Sequence, residues 1–177
     1  MTDWMDTLSF SPNTGLSITT TYTIRGEAPV NSSSSMIGKK IGTVKCNLST
    51  TNSPTGTLYC EVRDTSDNSL KHTIGEISFS ELVGTDITFE STTGDYTLTQ
   101  NDSVCLRASG LTGSQTIEIR RSDDADAYDG TNSGRSYYNG SSWGVESSED
   151  WLALFSDAST GGSSGTRLPP PPAFVRI

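Results

Sequence analysis

Between Leu16 and Phe155 apolar and polar residues alternate in short runs, and clusters of Gly, Asn, Asp and Ser interrupt the runs about every ten residues. A repeat of two puts alternate side chains on one face of a pleated strand, so each run reads as a half-buried strand and each cluster as a turn. Leu16, Ile18, Tyr22 and Ile24 alternate with Ser17, Thr19, Thr21 and Thr23, and Val104, Leu106 and Ala108 give a second clean example. The pattern leaves almost no room for helices; the one helical turn it allows runs over residues 79–84 behind the cap-like Ser78. It specifies an all-β fold, an antiparallel jelly-roll or Greek-key β-sandwich of about eight to ten strands, with a closed barrel as the main alternative.

Composition supports this. Ser and Thr make up about three residues in ten, apolar residues 32% and charged residues 19%. Thr suits pleated surfaces, and Ser, Asn and Gly suit turns. The 177 residues fit one domain: an arm over 1–15 anchored by Trp4 and Phe10, a sandwich over 16–157, and a Gly/Ser linker with a Pro-rich arm over 158–177. Residues 26–35 read as a long polar loop, and residues 122–135 as a loop without apolar content. In the last arm Pro169, Pro170, Pro171 and Pro172 form a stiff extended rod, and Phe174, Val175 and Ile177 follow it. With Trp4 and Phe10, these residues are the candidates for contact with a neighbouring subunit.

Net charge is −9 and no Lys/Arg stripe offsets it, which excludes phosphate backbones and anionic membranes as natural partners. No run reaches the roughly 18 apolar residues that membrane insertion requires. The first fifteen residues lack the basic and apolar regions of a secretory signal, which points to use without export or to a signal removed from the chain. Cys46 and Cys60 share the phase of their apolar neighbours and read as buried free thiols, a cross-strand bridge being the alternative; with Cys105 the count is odd.

Catalytic motifs fail on context. Gly140-Ser-Ser142-Trp-Gly144 matches G-x-S-x-G, but that elbow needs a strand before it, a helix after it and a later His, and the sole His72 comes earlier. Nothing ties any two acidic residues into a glycosidase pair. The expectation is that the chain is not an enzyme and requires no cofactor. The acidic loop holding Asp124, Asp126 and Asp129 is the candidate metal site, with Ca²⁺ the ion its oxygen ligands suit, against a reading as a solvated loop. Tyr128, Tyr137, Tyr138 and Trp143, with Asn132 and Arg135 as hydrogen-bond partners, supply what a glycan site needs.

Residues 102–155 resemble the last half of small jelly-roll domains of virion surface proteins and carbohydrate-binding modules. The resemblance lies in the strand Val104-Cys-Leu-Arg-Ala108, the Tyr137-Tyr138 pair, Gly140-Ser-Ser-Trp143 and a closing strand from Asp150. It implies one of two functions. The first is a structural protein of a virus particle (capsid decoration, fibre or tail-associated subunit) that contacts itself, other virion structural proteins and host or environmental glycans at the virion surface. The second is an extracellular carbohydrate-binding or adhesion module.

Overall fold

The computed structural model describes residues 2–9, 14–82, 86–122 and 128–158. The strands run β1 (Asp3–Asp6), β2 (Thr14–Ile18), β3 (Ile24–Pro29), β4 (Lys40–Ile41), β5 (Thr43–Thr51), β6 (Thr57–Asp64), β7 (Leu70–Ser78) and β8 (Asp86–Glu90). They continue as β9 (Tyr96–Thr97), β10 (Asp102–Ser109), β11 (Thr116–Ser122), β12 (Ser133–Tyr138), β13 (Trp143–Glu146), β14 (Asp150–Trp151) and β15 (Ala153–Ser156). One sheet joins β1, β15, β5, β11 and β14 in that order, with β2 on β11 and β8 on β5; the other has the order β13-β12-β3-β10-β6-β7. A small β4–β9 pair lies apart.

The protein is an all-β antiparallel sandwich. The β6–β7 and β12–β13 pairs are hairpins within one sheet, while β2 to β3, β5 to β6, β7 to β8, β10 to β11 and β11 to β12 cross between sheets. The chain thus winds repeatedly between the two layers. Both inner faces feed one core, in which Ile18, Val44, Ile117, Trp151 and Phe155 of the first sheet meet Leu58, Val62, Ile74, Val104 and Leu106 of the second. Each such side chain contributes roughly 1.5–3 kcal/mol on leaving water.

The fifteen strands among the described residues exceed the expected number: three of them, β4, β9 and β14, are only two residues long, and β1 lies in the expected arm. The run from Leu16 to Ile24 is not one strand. Thr19 Oγ1 accepts the amides of Thr21 (3.1 Å) and Tyr22 (3.0 Å), and this turn carries the chain from β2 in one sheet to β3 in the other. The expected loop over 26–35 opens with β3, all of whose residues are buried. Period-two reading fails there because β3 is covered on both faces. Likewise Arg135 belongs to β12 rather than to a loop.

Over residues 2–9 the expected N-terminal arm is part of the sandwich. β1 pairs with β15, Met5 is buried, and Thr7 Oγ1 donates to Trp151 O at 2.7 Å. Trp4, expected at a subunit contact, packs edge-on against Phe155 at 5.4 Å, and its Nε1 donates to Lys40 O at 2.7 Å. Phe10, Pro169 to Pro172, Phe174, Val175 and Ile177 lie outside the described residues.

The turn after β7 is a 3₁₀ helix over Phe79–Glu81, capped by Ser78 with Glu81 completing a capping box. Cys46, Cys60 and Cys105 are free and buried, and burial pushes each thiol up, which makes all three inert.

Candidate functional site: a charged cleft and an open groove

Register decides which side chains reach the interior of the second sheet. Arg25 stands opposite Leu106, and Glu27 opposite Val104, both core residues. Direct partners on neighbouring strands share a face, so Arg25 and Glu27 point inward. Across β3, Tyr137 stands opposite Arg25 and Arg135 opposite Glu27, so they point inward too. Tyr138 and Ser136 take the other face.

Gly26 makes this packing possible. A Cβ there would lie 2.1 Å from Val104 O and 2.6 Å from Cys105 Cα. Without that side chain Ser103 and Ser136 bond to each other across β3, Oγ to Oγ at 2.6 Å.

The inward polar groups line a cleft of about 370 Å³ between β3, β12 and the facing β11, with Tyr22 at its rim. Arg121 and Arg135 share Glu149, which takes the Nη1 of one and the Nε of the other. Arg25 sits between two rings, its Cζ 4.4 Å from the centroid of Tyr22 and 5.4 Å from that of Tyr137. Its Nε donates to Ser17 O at 3.3 Å. Burial, reinforced by Arg135, pushes the guanidinium down to about 10. Gly144 gives Tyr137 its place, since a Cβ there would meet the ring at 2.3 Å.

Behind the cleft Glu27 is fully buried and accepts the Trp151 amide at 2.8 Å. Burial and the adjacent Asp150 push its carboxyl well above the usual carboxylate range, so Glu27 keeps its proton to higher pH and shares it with Asp150.

The six residues expected to form one glycan site do not come together. Arg135 and Tyr137 line the cleft. Tyr138 and Trp143 are direct partners on the other face of the β12–β13 hairpin, with rings 5.6 Å apart. Tyr128 packs near Trp4 at 6.4 Å and accepts a hydrogen bond from Ser35, and burial pushes its phenol up to about 12. Asn132 bonds to Asn31 and to Asp129 O within a turn. Consecutive residues of a strand face opposite ways, so Tyr137 and Tyr138 could not have shared a surface. Sequence reasoning missed Tyr22, Arg25, Arg121 and Glu149. The signal was the alternation Arg25-Gly-Glu27-Ala, a charged face and a small-residue face, inside a stretch read as loop.

Asp124 and Asp126 lie outside the described residues. Asp129 spends its carboxylate on the amide and hydroxyl of Ser35 (2.7 and 2.9 Å) and on those of Ser133 (2.9 and 3.0 Å). This ties the turn before β12 to the loop before β4. Among the described residues no group of three or more His, Cys, Asp or Glu side chains could hold a metal ion.

At the opposite edge of the second sheet, β7 faces β8, the edge strand of the first sheet, across a groove of about 730 Å³. Its lining includes Ile74, Ile77 and Phe89, with Glu76 and Glu90 among the polar residues. His72 closes one part of it, with Nε2 3.0 Å from Ser91 Oγ, its ring stacked on Tyr96 at 5.7 Å and a bond to the Gly94 carbonyl. Burial lowers its pKa, against the pull of Gly94 and Asp95. The Ser91 hydroxyl also accepts the Thr93 amide at 3.3 Å, and a backbone carbonyl, not a carboxylate, orients the imidazole. The arrangement clasps the loop after β8 to β7. The Gly140–Gly144 segment belongs to the far edge of the same sheet, five strand positions from β7.

No protein-family model, curated protein or solved structure matches this chain.

Proposed function

We propose that the chain is a non-enzymatic structural protein of a virus particle (a capsid decoration, fibre or tail-associated subunit) that works by self-assembly and surface attachment at the virion surface. The groove between β7 and β8 carries this reading. Edge strands present unpaired N–H and C=O groups that template an added strand, and natural sheets normally cover them. Here the edges of both sheets border one extended slot with an apolar lining.

The chain carries a suitable occupant. Behind the four prolines, Phe174, Val175 and Ile177 supply apolar side chains, and Arg176 complements Glu76 and Glu90. The amide of Ala158, the last described residue, donates to Asp95, beside the Gly94 carbonyl that His72 bonds. The segment 159–177 therefore starts next to the groove. A Gly/Ser-rich composition like that of residues 159–166 corresponds to a reach of about 16 Å, and four prolines in an extended run to about 12 Å more. That length delivers the apolar end to the groove of a neighbouring copy, and the preset rod lowers the ordering cost. Partners are other copies of the chain and further virion structural proteins.

A second reading, an extracellular carbohydrate-binding or adhesion module, draws on the aromatic-walled cleft. Solution mass by light scattering separates the two. The assembly reading expects a defined oligomer from the full chain and single copies when the chain ends at residue 158. A single copy in both cases, retained on a polysaccharide matrix, would reverse the order.

A further inference from the structure

We propose that the cleft at Arg25 binds a carboxylated sugar, such as one unit of a uronic-acid glycan, with the guanidinium taking the carboxylate and Tyr22 and Tyr137 taking the ring. This inference rests on the surface-attachment half of the proposed function and is independent of the groove. Four other arginines of the two sheets have a carboxylate: Arg63 and Arg107 share Glu61, and Arg121 and Arg135 share Glu149. Arg25 has none among the described residues. It is only 7% exposed, and of its nitrogens only Nε is bonded, to a backbone carbonyl.

The charged groups around Arg25 make the case sharper. Arg135 and Arg121 repel it, the phenols of Tyr22 and Tyr137 stand beside it, and of the two carboxylates in the cleft Glu149 is taken by Arg121 and Arg135. A cation removed from water without a counter-charge is costly, and the cost is lifted when an anion enters. The guanidinium lines an open cleft of about 370 Å³, within the common range of about 300–1,000 Å³ for small-ligand sites. A planar fork of two free amino groups matches a carboxylate in bidentate fashion.

The aromatic walls select the rest of the ligand. Tyr22 is 38% exposed at the rim, and Tyr137 stands edge-on to it with ring centroids 5.9 Å apart. Two rings flanking one cation leave an apolar surface on each side of the anion, which suits the apolar face of a pyranose and gives nothing to a bare inorganic anion. The cleft holds Arg121, Arg135 and Arg25 against Glu146 and Glu149, so it is locally cationic within a chain of net charge −9. Acidic polymers approach such a protein only where a site of this kind exists.

Calorimetric titration of the full chain with oligogalacturonate, its neutral hexose counterpart of equal length and inorganic sulfate tests the proposal. Saturable binding of the oligogalacturonate is expected, with at least tenfold weaker binding of the other two probes. Arg25→Gln should abolish the binding, and the rim variant Tyr22→Ala, at an exposed position, should weaken it several-fold while leaving the unfolding transition in place. Equal binding of the neutral oligomer, sulfate competing at equal affinity, or an unchanged Tyr22→Ala titration would overturn the assignment. Such a failure leaves the oligomer measurement untouched, so the two readings fall separately.

Discussion

The two concavities at opposite edges of the second sheet offer different things to a partner. Along the β7–β8 groove the backbone edge is open and the carboxylates in the lining, Glu76 and Glu90, are exposed to water, while the buried charge of the neighbouring strands is paired: Glu61 takes both Arg63 and Arg107, at 2.6 and 2.9 Å. In the Arg25 cleft the walls are side chains and a charge is left open. A strand edge reads another backbone with little regard for sequence, so the groove suits a chain. A lone guanidinium between rings reads one functional group, so the cleft suits a small anion. Buried charge alone does not mark a binding site; buried charge without a counter-charge does.

The largest effect that sharpens this contrast comes from Glu61. Burial raises its carboxyl, but the hydrogen bonds and charge of Arg107 and Arg63 outweigh burial and hold it below the usual range. Replacing it by Ala leaves two arginines facing each other on the outer face. Urea denaturation should show a loss of about 3 kcal/mol, with sugar binding at Arg25 unchanged. A loss of binding in step with stability would mean that the two sites are not separate.

A smaller effect is expected at Gly144. Gly144→Ala forces the tip of the Tyr137 ring aside, which costs about 1 kcal/mol and shifts the ring resonances of Tyr22 and Tyr137 together in the NMR spectrum. Independent behaviour of the two rings would break the picture of a shared wall.

Glu27 and Glu61 should also differ in the sign of their pH dependence. The folded-state pKa of Glu27 is raised above 4.5, so its stabilising contribution is complete below that pH and is lost as pH rises through the folded value. That of Glu61 is lowered, so its contribution is complete above 4.5 and is lost as pH falls. Stability relative to Glu27→Gln should therefore decline toward alkaline pH, and relative to Glu61→Gln toward acid pH. At pH 5 the Glu27→Gln difference itself stays within about 1 kcal/mol, because an amide can still donate to Asp150. Parallel slopes in the two comparisons would contradict the assignment. The least change is expected from Lys71→Ala, an exposed side chain at the surface end of its pair with the half-buried Asp64; its thermal midpoint should match that of the unsubstituted protein.

The sequence reveals the fold wherever one face of a strand is wet. β7, β8 and β11 fall where Ile74, Ile87 and Ile117 mark alternate positions, and β10 is legible although both its faces are covered, because Val104, Leu106 and Ala108 keep the period of two. It is silent where charged residues turn inward: β3 is buried throughout, and its Arg25 and Glu27 look like loop residues. The site was half legible for the same reason. Arg135 and Tyr137 stood out as candidates, but their companions come from the Thr19 turn and from β11, which only the crossing between sheets brings together. Asp129 misled because four hydrogen bonds from distant and local serines cannot be read from acidic spacing.

Amide hydrogen exchange along β7 and β8, in the full chain at assembling concentration and in the chain ended at residue 158, reports whether the groove is filled. Amides of residues 70–77 and 86–90 that are slow in the full chain should become fast on truncation, while those of β10 stay slow in both. Edge strands exchanging at the same rate with and without residues 159–177 would contradict a filled groove.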